Sequence, residues 1–225
     1  MTENARQGRL TIRPTNQTDK IIKPGRHSLS FEDGREALLY VPAGYKSETP
    51  APFALMLHGA GGNAEHGIRL LESLADEFGI ILLAPKSFYG TWDVIADEYG
   101  ADVEFINRAL AQAFELCLLD ENRLAVGGFS DGASYALSLG LTNGDLFSHI
   151  VAFSPGFMAP TRQAGTPRIY ISHGADDRVL PIERCSRRIV PQLQRAKYDV
   201  TYKEFDGQHT IPPDIVRQAV DWFTK

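Results

Sequence analysis

Short apolar runs alternate with longer segments of mixed polarity along most of the chain. The runs are too short for helices and carry few polar interruptions, which is typical of strands buried on both faces of a sheet. They cover residues 53–57, 80–84, 124–127, 150–153, 169–172 and 200–205. The segments between them place apolar residues at helical spacing. These segments cover residues 68–78, 102–118, 132–141, 182–196 and 213–223.

This alternation predicts an α/β protein with a mostly parallel central sheet and helices on both faces. Residues 26–41 predict an N-terminal antiparallel hairpin, because apolar stretches flank the turn sequence Glu32-Asp33-Gly34. No Ser/Gly-rich tract, charge run or internal repeat marks a boundary in the 225 residues. We therefore expect a single domain over residues 26–225, preceded at residues 1–25 by an extension or an edge strand.

Composition narrows the class of partner. The chain has 43% hydrophobic and 23% charged residues, as in ordinary globular proteins, and a formal net charge of −5. Without a basic stripe, nucleic acid and membrane surfaces are poor partners, and a small-molecule substrate is favoured. Neither a signal-peptide core nor a run long enough to cross a bilayer occurs, which predicts a cytoplasmic protein. Cys117 and Cys185 lack disulfide-framework and metal-site spacing, which predicts buried thiols.

The residues richest in chemistry follow directly after four of the predicted strands. They occupy positions 58–62, 128–132, 173–177 and 206–209. The carboxyl ends of parallel strands lie at one edge of a sheet, and the loops at that edge form the active site. The sequence therefore predicts one site built from four loops.

Ser130 is the centre of Gly128-Phe129-Ser130-Asp131-Gly132, a Gly-x-Ser-x-Gly sequence between a predicted strand and a predicted helix. The two glycines allow a sharp turn that exposes a serine hydroxyl at the start of the helix. Five residues of this kind also occur in ordinary turns, but the flanking strand and helix favour a catalytic role. We interpret Ser130 as the nucleophile of a serine hydrolase that forms a covalent acyl-enzyme.

A serine nucleophile needs a histidine base and an orienting carboxylate. In the type of fold predicted here they follow the serine along the chain in the order serine, acid, histidine. His209 is the only histidine that leaves room for an acid loop after Ser130. The alternative interpretation of His209 is an exposed loop residue without a catalytic role. The acid is expected in the loop after residues 169–172, where Asp176 and Asp177 are adjacent. Chain order alone leaves both open.

Acyl transfer also needs backbone N–H groups that stabilise the developing oxyanion. We expect one from Asp131 and the other from Ala60, in the glycine-rich sequence His58-Gly59-Ala60-Gly61-Gly62. That sequence lacks the Gly-Lys-Ser/Thr of a phosphate-binding loop, although a turn that merely ends a strand is an alternative. The histidines show no metal-ligand spacing, so we expect neither a metal nor another cofactor.

Together these motifs resemble the α/β-hydrolase superfamily, and within it the small esterases of the phospholipase/carboxylesterase group. The resemblance rests on the loop at 58–62, the serine motif, His173-Gly174-Ala175-Asp176-Asp177 with Pro181, and Gly207-Gln208-His209. It implies the α/β-hydrolase fold and identifies Asp177 as the acid, because the group's His-Gly-x-x-Asp run carries the acid at its fifth position. Gln208 stands where the group often has a second glycine. Trp92-Asp93 is similar to a segment that lines the group's site.

The segment between residues 153 and 169 is too short for an inserted lid domain, so we expect an open site. Aromatic and apolar residues in loops at the active edge are candidates for an acyl pocket, with core packing as the alternative for each. They are Phe88, Tyr89, Trp92, Phe157 and Met158. We expect a carboxylesterase acting on a small-molecule ester. Thioesterase, lysophospholipase-type or peptidase activity, or a ligand-binding module without catalysis, are the alternatives.

Overall fold

The structure is a computed structural model that describes residues 1–15, 20–96 and 98–225. Within these ranges the chain forms eight strands and eight helices. The strands are β1 (Gly25–Ser30), β2 (Glu36–Val41), β3 (Ala51–Leu57), β4 (Ile81–Pro85), β5 (Leu119–Phe129), β6 (His149–Phe153), β7 (Arg168–Gly174) and β8 (Val200–Phe205). The helices are α1 (Glu3–Arg6), α2 (Ala64–Ile68), α3 (Glu72–Phe78), α4 (Asp93–Ala96), α5 (Ala101–Leu116), α6 (Asp131–Thr142), α7 (Ser186–Arg195) and α8 (Pro213–Thr224).

The strands form one sheet in the order β1-β2-β4-β3-β5-β6-β7-β8. β2 pairs antiparallel with both β1 and β4, whereas the remaining neighbours pair in parallel. The predicted hairpin and the mostly parallel sheet are therefore confirmed. The register sets Leu57 beside Gly128 and Phe129 beside Phe153, so β3, β5 and β6 end at the same edge.

Both faces of the sheet are covered. Along β3, Phe53 and Leu55 pack into one apolar cluster and Ala54 and Met56 into another, as the alternation of side chains in a strand requires. Helices α5, α6 and α7 contribute to the first cluster, and α2, α3 and α8 to the second. Burial from both sides explains why the central strands read as continuous apolar runs.

Two of the predicted helices have different bounds in the structure. The helix expected over residues 68–78 is two helices, α2 and α3, separated at residues 69–71. Leu71 leaves helical geometry with φ −126°, and its side chain and that of Ile68 both reach the core. The helix expected from residue 182 begins at Ser186, because residues 182–185 form a hydrogen-bonded turn in which the Cys185 N–H donates to the Ile182 carbonyl.

The N-terminal residues 1–15 pack against the rest of the chain as an extension rather than as a strand. Ala5 and Leu10 are buried, and the backbone N–H groups of Thr11 and Ile12 donate to the Asn107 side chain on α5. Residues 16–19 of the expected N-terminal segment lie outside the described residues. In the described part of the chain, no strand precedes Gly25.

Candidate active site

The turn between β5 and α6 holds Ser130 at φ 59° and ψ −119°. Such a backbone conformation costs a residue other than glycine on the order of 1–3 kcal/mol and is typical of functional sites. The glycines on either side of Ser130 are required because neighbouring backbone atoms lie too close to leave room for a side chain. A Cβ on Gly128 would lie 2.5 Å from the carbonyl carbon of Gly132, and a Cβ on Gly132 would lie 2.1 Å from the Leu57 oxygen. The serine motif thus packs closely against the end of β3.

Ser130, His209 and Asp177 form a chain of hydrogen bonds at the carboxyl edge of the sheet. The Nε2 atom of His209 lies 2.9 Å from Ser130 Oγ, and its Nδ1 atom lies 2.6 Å from Asp177 Oδ2. A carboxylate only accepts, so Nδ1 carries the proton and Nε2 is left to accept one from the serine. The Phe129 ring packs against the imidazole at 4.6 Å between centroids. This arrangement can activate a hydroxyl for nucleophilic attack.

Asp177 is buried, whereas Asp176 is exposed. Among the described residues, His209 is hydrogen-bonded to Asp177 and not to Asp176. The second oxygen of Asp177, Oδ1, accepts hydrogen bonds from the backbone N–H groups of Val179 and Leu180 at 2.9 and 2.8 Å. Burial opposes ionisation, but the hydrogen bonds from His209 and from the two N–H groups outweigh it and lower the pKa of Asp177. The carboxylate is therefore held in its charged form.

The loops that carry Asp177 and His209 are joined to each other. The N–H of Ala175 donates to the Phe205 carbonyl, and the N–H of Asp176 donates to the Gly207 carbonyl, both at 2.9 Å. Gly174 lies so close to the loop of His209 that a Cβ there would be 2.4 Å from the Gln208 oxygen. Backbone pairing after β7 and β8 thus fixes the position of His209 relative to Asp177.

The glycine-rich loop after β3 runs beside Ser130. A Cβ on Gly59 would lie 3.4 Å from the Ser130 Cβ. Among the described residues, the N–H groups of Ala60 and Asp131 have no hydrogen-bond partner. The first N–H of a helix lacks an intrahelical acceptor, and the Asp131 N–H at the start of α6 is of this kind. Two free donors next to a nucleophile can stabilise an oxyanion.

Trp92 supports this loop from the interior. Its indole N–H donates to the His58 carbonyl at 2.9 Å, and its ring stacks on Tyr135 with 5.1 Å between centroids. The Tyr135 hydroxyl in turn donates to Asp93 at 2.9 Å. The Trp92 side chain has no exposed surface. The expectation that Trp92 lines an acyl pocket is therefore wrong in this structure: the residue is part of the packing that holds the loop.

An open cleft of about 530 Å³ lies over Ser130. It is lined by Gly59, Ala60, Gly61, Gly62, His66, Phe129, Ser130, Val179 and His209. Residues 154–167 connect β6 to β7 without forming a helix, so this described segment carries no lid. Of the lining residues, His66 and Val179 lie outside the residue ranges of the four loops that the sequence predicts for the site. Val179 lies two positions beyond the acid in the same loop, and this position is the signal that could have indicated it.

The other candidates for an acyl pocket have different surroundings. Phe88 and Tyr89 are exposed, by 55% and 64%, and their rings pack edge to face. Their loop is tied to the glycine-rich loop by a hydrogen bond from the Gly61 N–H to the Gly90 carbonyl. Phe157 and Met158 are half-buried, and Met158 packs on the core. None of these four residues lines the cleft at Ser130.

Within the described residues, no three His, Cys, Asp or Glu side chains gather closely enough to hold a metal ion. Cys117 and Cys185 are both buried and free. None of the described helices has the length and apolarity needed to span a bilayer.

The sheet order and the sharp turn at Ser130 define an α/β-hydrolase fold, and solved structures agree with it. A fluorophosphonate-binding serine hydrolase from Staphylococcus aureus superposes with a TM-score of 0.71 at 15% identity, covering 91% of this chain and 100% of that one. A ferulic acid esterase from Anaeromyces mucronatus, solved with ferulic acid, gives a TM-score of 0.68 at 17% identity, covering 100% and 95%.

Sequence comparison gives the family. Residues 93–225 match the Phospholipase/Carboxylesterase family, and the chain belongs to it. Feruloyl esterase C of Emericella nidulans is 29% identical over 161 residues, which are 67% of this chain and 58% of that protein. A probable feruloyl esterase C of Aspergillus terreus is 31% identical over 163 residues, again 67% and 58%. The match therefore spans little more than half the length of these curated relatives.

Proposed function

We propose that the protein hydrolyses carboxylic esters of small molecules through an acyl-enzyme on Ser130. The observation that carries this proposal is the hydrogen-bonded chain from Ser130 through His209 to Asp177, which opens into the cleft. Membership of the Phospholipase/Carboxylesterase family supports the same class of reaction. The proposed chemistry needs no cofactor, because the nucleophile, the base and the oxyanion donors are all protein groups.

In the acylation step, His209 Nε2 accepts the Ser130 proton while Oγ attacks the ester carbonyl carbon. Charge develops on the carbonyl oxygen, and the N–H groups of Ala60 and Asp131 are the proposed donors to it; one such donor is worth on the order of 10²-fold in rate or more. The tetrahedral intermediate then collapses, and the leaving alcohol takes the proton from His209. Asp177 stabilises the imidazolium between these events.

Deacylation repeats the sequence with water as the nucleophile. His209 removes a proton from water as the water attacks the acyl carbon, and Ser130 regains a proton when the acid product leaves. The open cleft gives water direct access to the acyl-enzyme. A thioester or an amide would pass through the same intermediate, so thioesterase, lysophospholipase-type and peptidase activities share this machinery.

The substrate class we propose is an ester of an aromatic acid. Two observations support it: the exposed Phe88 and Tyr89 beside the glycine-rich loop, and the relatives whose names state feruloyl esterase. An aromatic acyl group stacked on such rings gains about 0.5–1.5 kcal/mol beyond the area it buries. This corresponds to roughly 2- to 12-fold in kcat/KM.

Replacement of the nucleophile tests the reaction. Ser130→Ala is expected to lower ester turnover by about 10⁴-fold or more while the fold survives, because alanine cannot form the acyl-enzyme. Ser28→Ala, on the exposed face of the distant edge strand β1, is the matched control and keeps full activity. A fluorophosphonate probe is expected to label the wild type at Ser130 only. Undiminished turnover in pure Ser130→Ala would refute the mechanism.

Replacement of the exposed aromatic pair tests the substrate class. The Phe88→Ala, Tyr89→Ala double variant should lose several-fold in kcat/KM on a hydroxycinnamoyl ester and little on an acetyl ester of the same alcohol. Thioester and anilide analogues of the same acid, assayed alongside, rank the alternative activities. Equal losses on both acyl groups would show that the pair does not recognise the aromatic acid.

A further inference from the structure

His173 contacts the same carboxylate oxygen of Asp177 that accepts the hydrogen bond from His209. It lies in β7, four residues before Asp177, and its side chain is completely buried. Its Nε2 atom is 2.8 Å from the Leu180 carbonyl oxygen and 3.2 Å from Asp177 Oδ2. The proposed mechanism gives this histidine no role, although two of its neighbours belong to the acid loop.

The surroundings of the ring assign its tautomer. Both oxygen atoms near Nε2 can only accept, so Nε2 must carry a proton. Burial lowers the pKa of His173, which keeps the ring neutral and leaves Nδ1 as an acceptor. The Ser186 hydroxyl lies 2.7 Å from Nδ1 and is itself fully buried, so it donates its proton to the ring.

These contacts hold the acid loop at two points. The His173 N–H donates to the Leu180 carbonyl, and the Leu180 N–H donates to Asp177 Oδ1 at 2.8 Å. The same His173 N–H presents its positive end to Asp177 Oδ2, the oxygen that accepts from His209. One neutral ring thus restrains the loop backbone and the carboxylate together.

We propose that His173 is a positioning residue for Asp177, and that Ser186 sets the tautomer in which it acts. The inference rests on the proposed function, because it gives Asp177 the task of orienting His209. A neutral N–H donor suits this place, since a cation so close to Asp177 would compete with the imidazolium for the carboxylate. The network therefore runs from α7 through β7 to the reacting serine.

Paired substitutions at His173 test the proposal. Leucine removes the N–H donor, whereas glutamine can place an amide N–H close to the position of Nε2. In His173→Leu we expect kcat to fall about 10- to 100-fold, the range found for groups that orient metal-binding side chains, with KM changed little. In His173→Gln most of kcat should return. A loss in His173→Leu that glutamine does not restore would indicate packing alone and would overturn the proposal.

His149→Leu is the matched control, because His149 is also buried but lies at the start of β6, at the opposite edge of the sheet. It is expected to lower thermal stability without lowering kcat. If His173→Leu loses no more kcat than His149→Leu, the positioning role is wrong. Near-ultraviolet circular dichroism and the thermal midpoint establish that each variant is folded before its kinetics are compared.

Ser186→Ala provides a gentler test with a second readout. Without the hydroxyl donor the imidazole of His173 loses the partner that selects its tautomer, and kcat should fall about 3- to 10-fold.

The pH profile of His173→Leu is the second readout. In this variant the Asp177 carboxylate loses a donor and attracts the His209 imidazolium more strongly, so the acid limb of the kcat/KM profile moves to higher pH. An acid limb that stays in place overturns the role assigned to the His173 N–H.

The proposed function and this inference fail in different ways. If Ser130→Ala abolishes turnover but His173→Leu and Ser186→Ala behave as the wild type, the triad stands and the positioning role is refuted. If Ser130→Ala retains turnover, the proposed function itself is wrong, and the result at His173 then reports on another site.

Discussion

The dipeptide His-Gly occurs at the ends of two strands, and the two copies use their histidines in opposite ways. His58 directly follows β3 and belongs to the glycine-rich loop. Its Nδ1 lies 2.8 Å from the Gly59 carbonyl, and its Nε2 accepts from the Ser87 N–H at 3.1 Å. His173 instead has the proton on Nε2 and accepts on Nδ1. Both rings are buried, and burial lowers the pKa of each.

The difference shows that the partners, rather than the sequence motif, decide where a neutral histidine keeps its proton. We call His58-Gly59 the first corner and His173-Gly174 the second corner. A carbonyl oxygen faces Nδ1 of the histidine at the first corner and Nε2 at the second, and each ring donates from that atom. The two corners thus perform the same task on two loops. One holds backbone N–H groups near Ser130, and the other holds the Asp177 carboxylate, which accepts a hydrogen bond from His209.

Alanine at the two corner glycines should separate the corners most strongly. A Cβ on Gly174 meets the Gln208 and Gly207 oxygens at 2.4 and 2.5 Å, whereas one on Gly59 has only ordinary contacts at 3.4 Å. Gly174→Ala should lower the free energy of unfolding by about 1–3 kcal/mol, and kcat by about 10²-fold as the base loop moves. Gly59→Ala is its control for stability, measured by urea unfolding. Equal destabilisation by the two changes would contradict the structure.

Removal of the indole donor should affect only the first corner. Trp92→Phe keeps the ring stack on Tyr135 but loses the N–H that donates to the His58 carbonyl. We expect kcat to fall about 10-fold, because the lost hydrogen bond to a buried carbonyl is worth on the order of 1–3 kcal/mol. The pH profile, which reports on the second corner, should not move. A shifted profile would show that the two corners are coupled.

Acid should weaken the whole protein through its buried neutral histidines. Burial lowers the pKa of His149 to about 4, whereas an unfolded histidine titrates near 6.5. Between these values the unfolded state binds more protons, so stability falls as pH falls. For His149 the loss from pH 6.5 to 5 is about 2 kcal/mol. The difference in urea stability between the wild type and His149→Leu isolates this contribution, and a pH-independent difference would contradict it.

The smallest expected effect is spectroscopic and is measured on the imidazole rings themselves. Nitrogen-15 spectra of the imidazole rings distinguish protonated from unprotonated nitrogen, and at neutral pH they should assign the proton to Nδ1 in His58 and to Nε2 in His173. In Ser186→Ala the second assignment should become mixed, while the first stays as it was. The same tautomer in His58 and His173 would show that the two histidines do not differ in the way the structure indicates.

Much of this architecture could be predicted because it depends on local patterns. Apolar runs located the central strands. Neighbouring backbone lies so close to Gly128 and Gly132 that only glycine fits there, and this requirement is visible in the sequence as the Gly-x-Ser-x-Gly motif. The edge at which the chemistry lies followed from the parallel sheet. The break at Leu71 between α2 and α3 could not be predicted, because two helical segments that face the core give the same spacing as one helix.

Tertiary contacts decided the rest. An aromatic loop residue near a site is equally consistent with a pocket or with packing, and the hydrogen bond to the His58 carbonyl places Trp92 in the packing. Chain order left Asp176 and Asp177 open, and the two backbone donors from Val179 and Leu180 distinguish them in space. The role of His173 depends on Ser186, which lies thirteen residues away on α7.

The order of the sheet has a consequence for how the protein loses activity. β8 is an edge strand, paired on one side only, and it leads directly into the loop of His209. Ser130, by contrast, follows β5, which has neighbours on both sides. Edge segments open locally at a smaller free energy than the sheet centre. His209 can therefore leave the site by fraying of one strand while Ser130 stays in a native core. In the proposed mechanism, we expect activity to be lost before the protein unfolds.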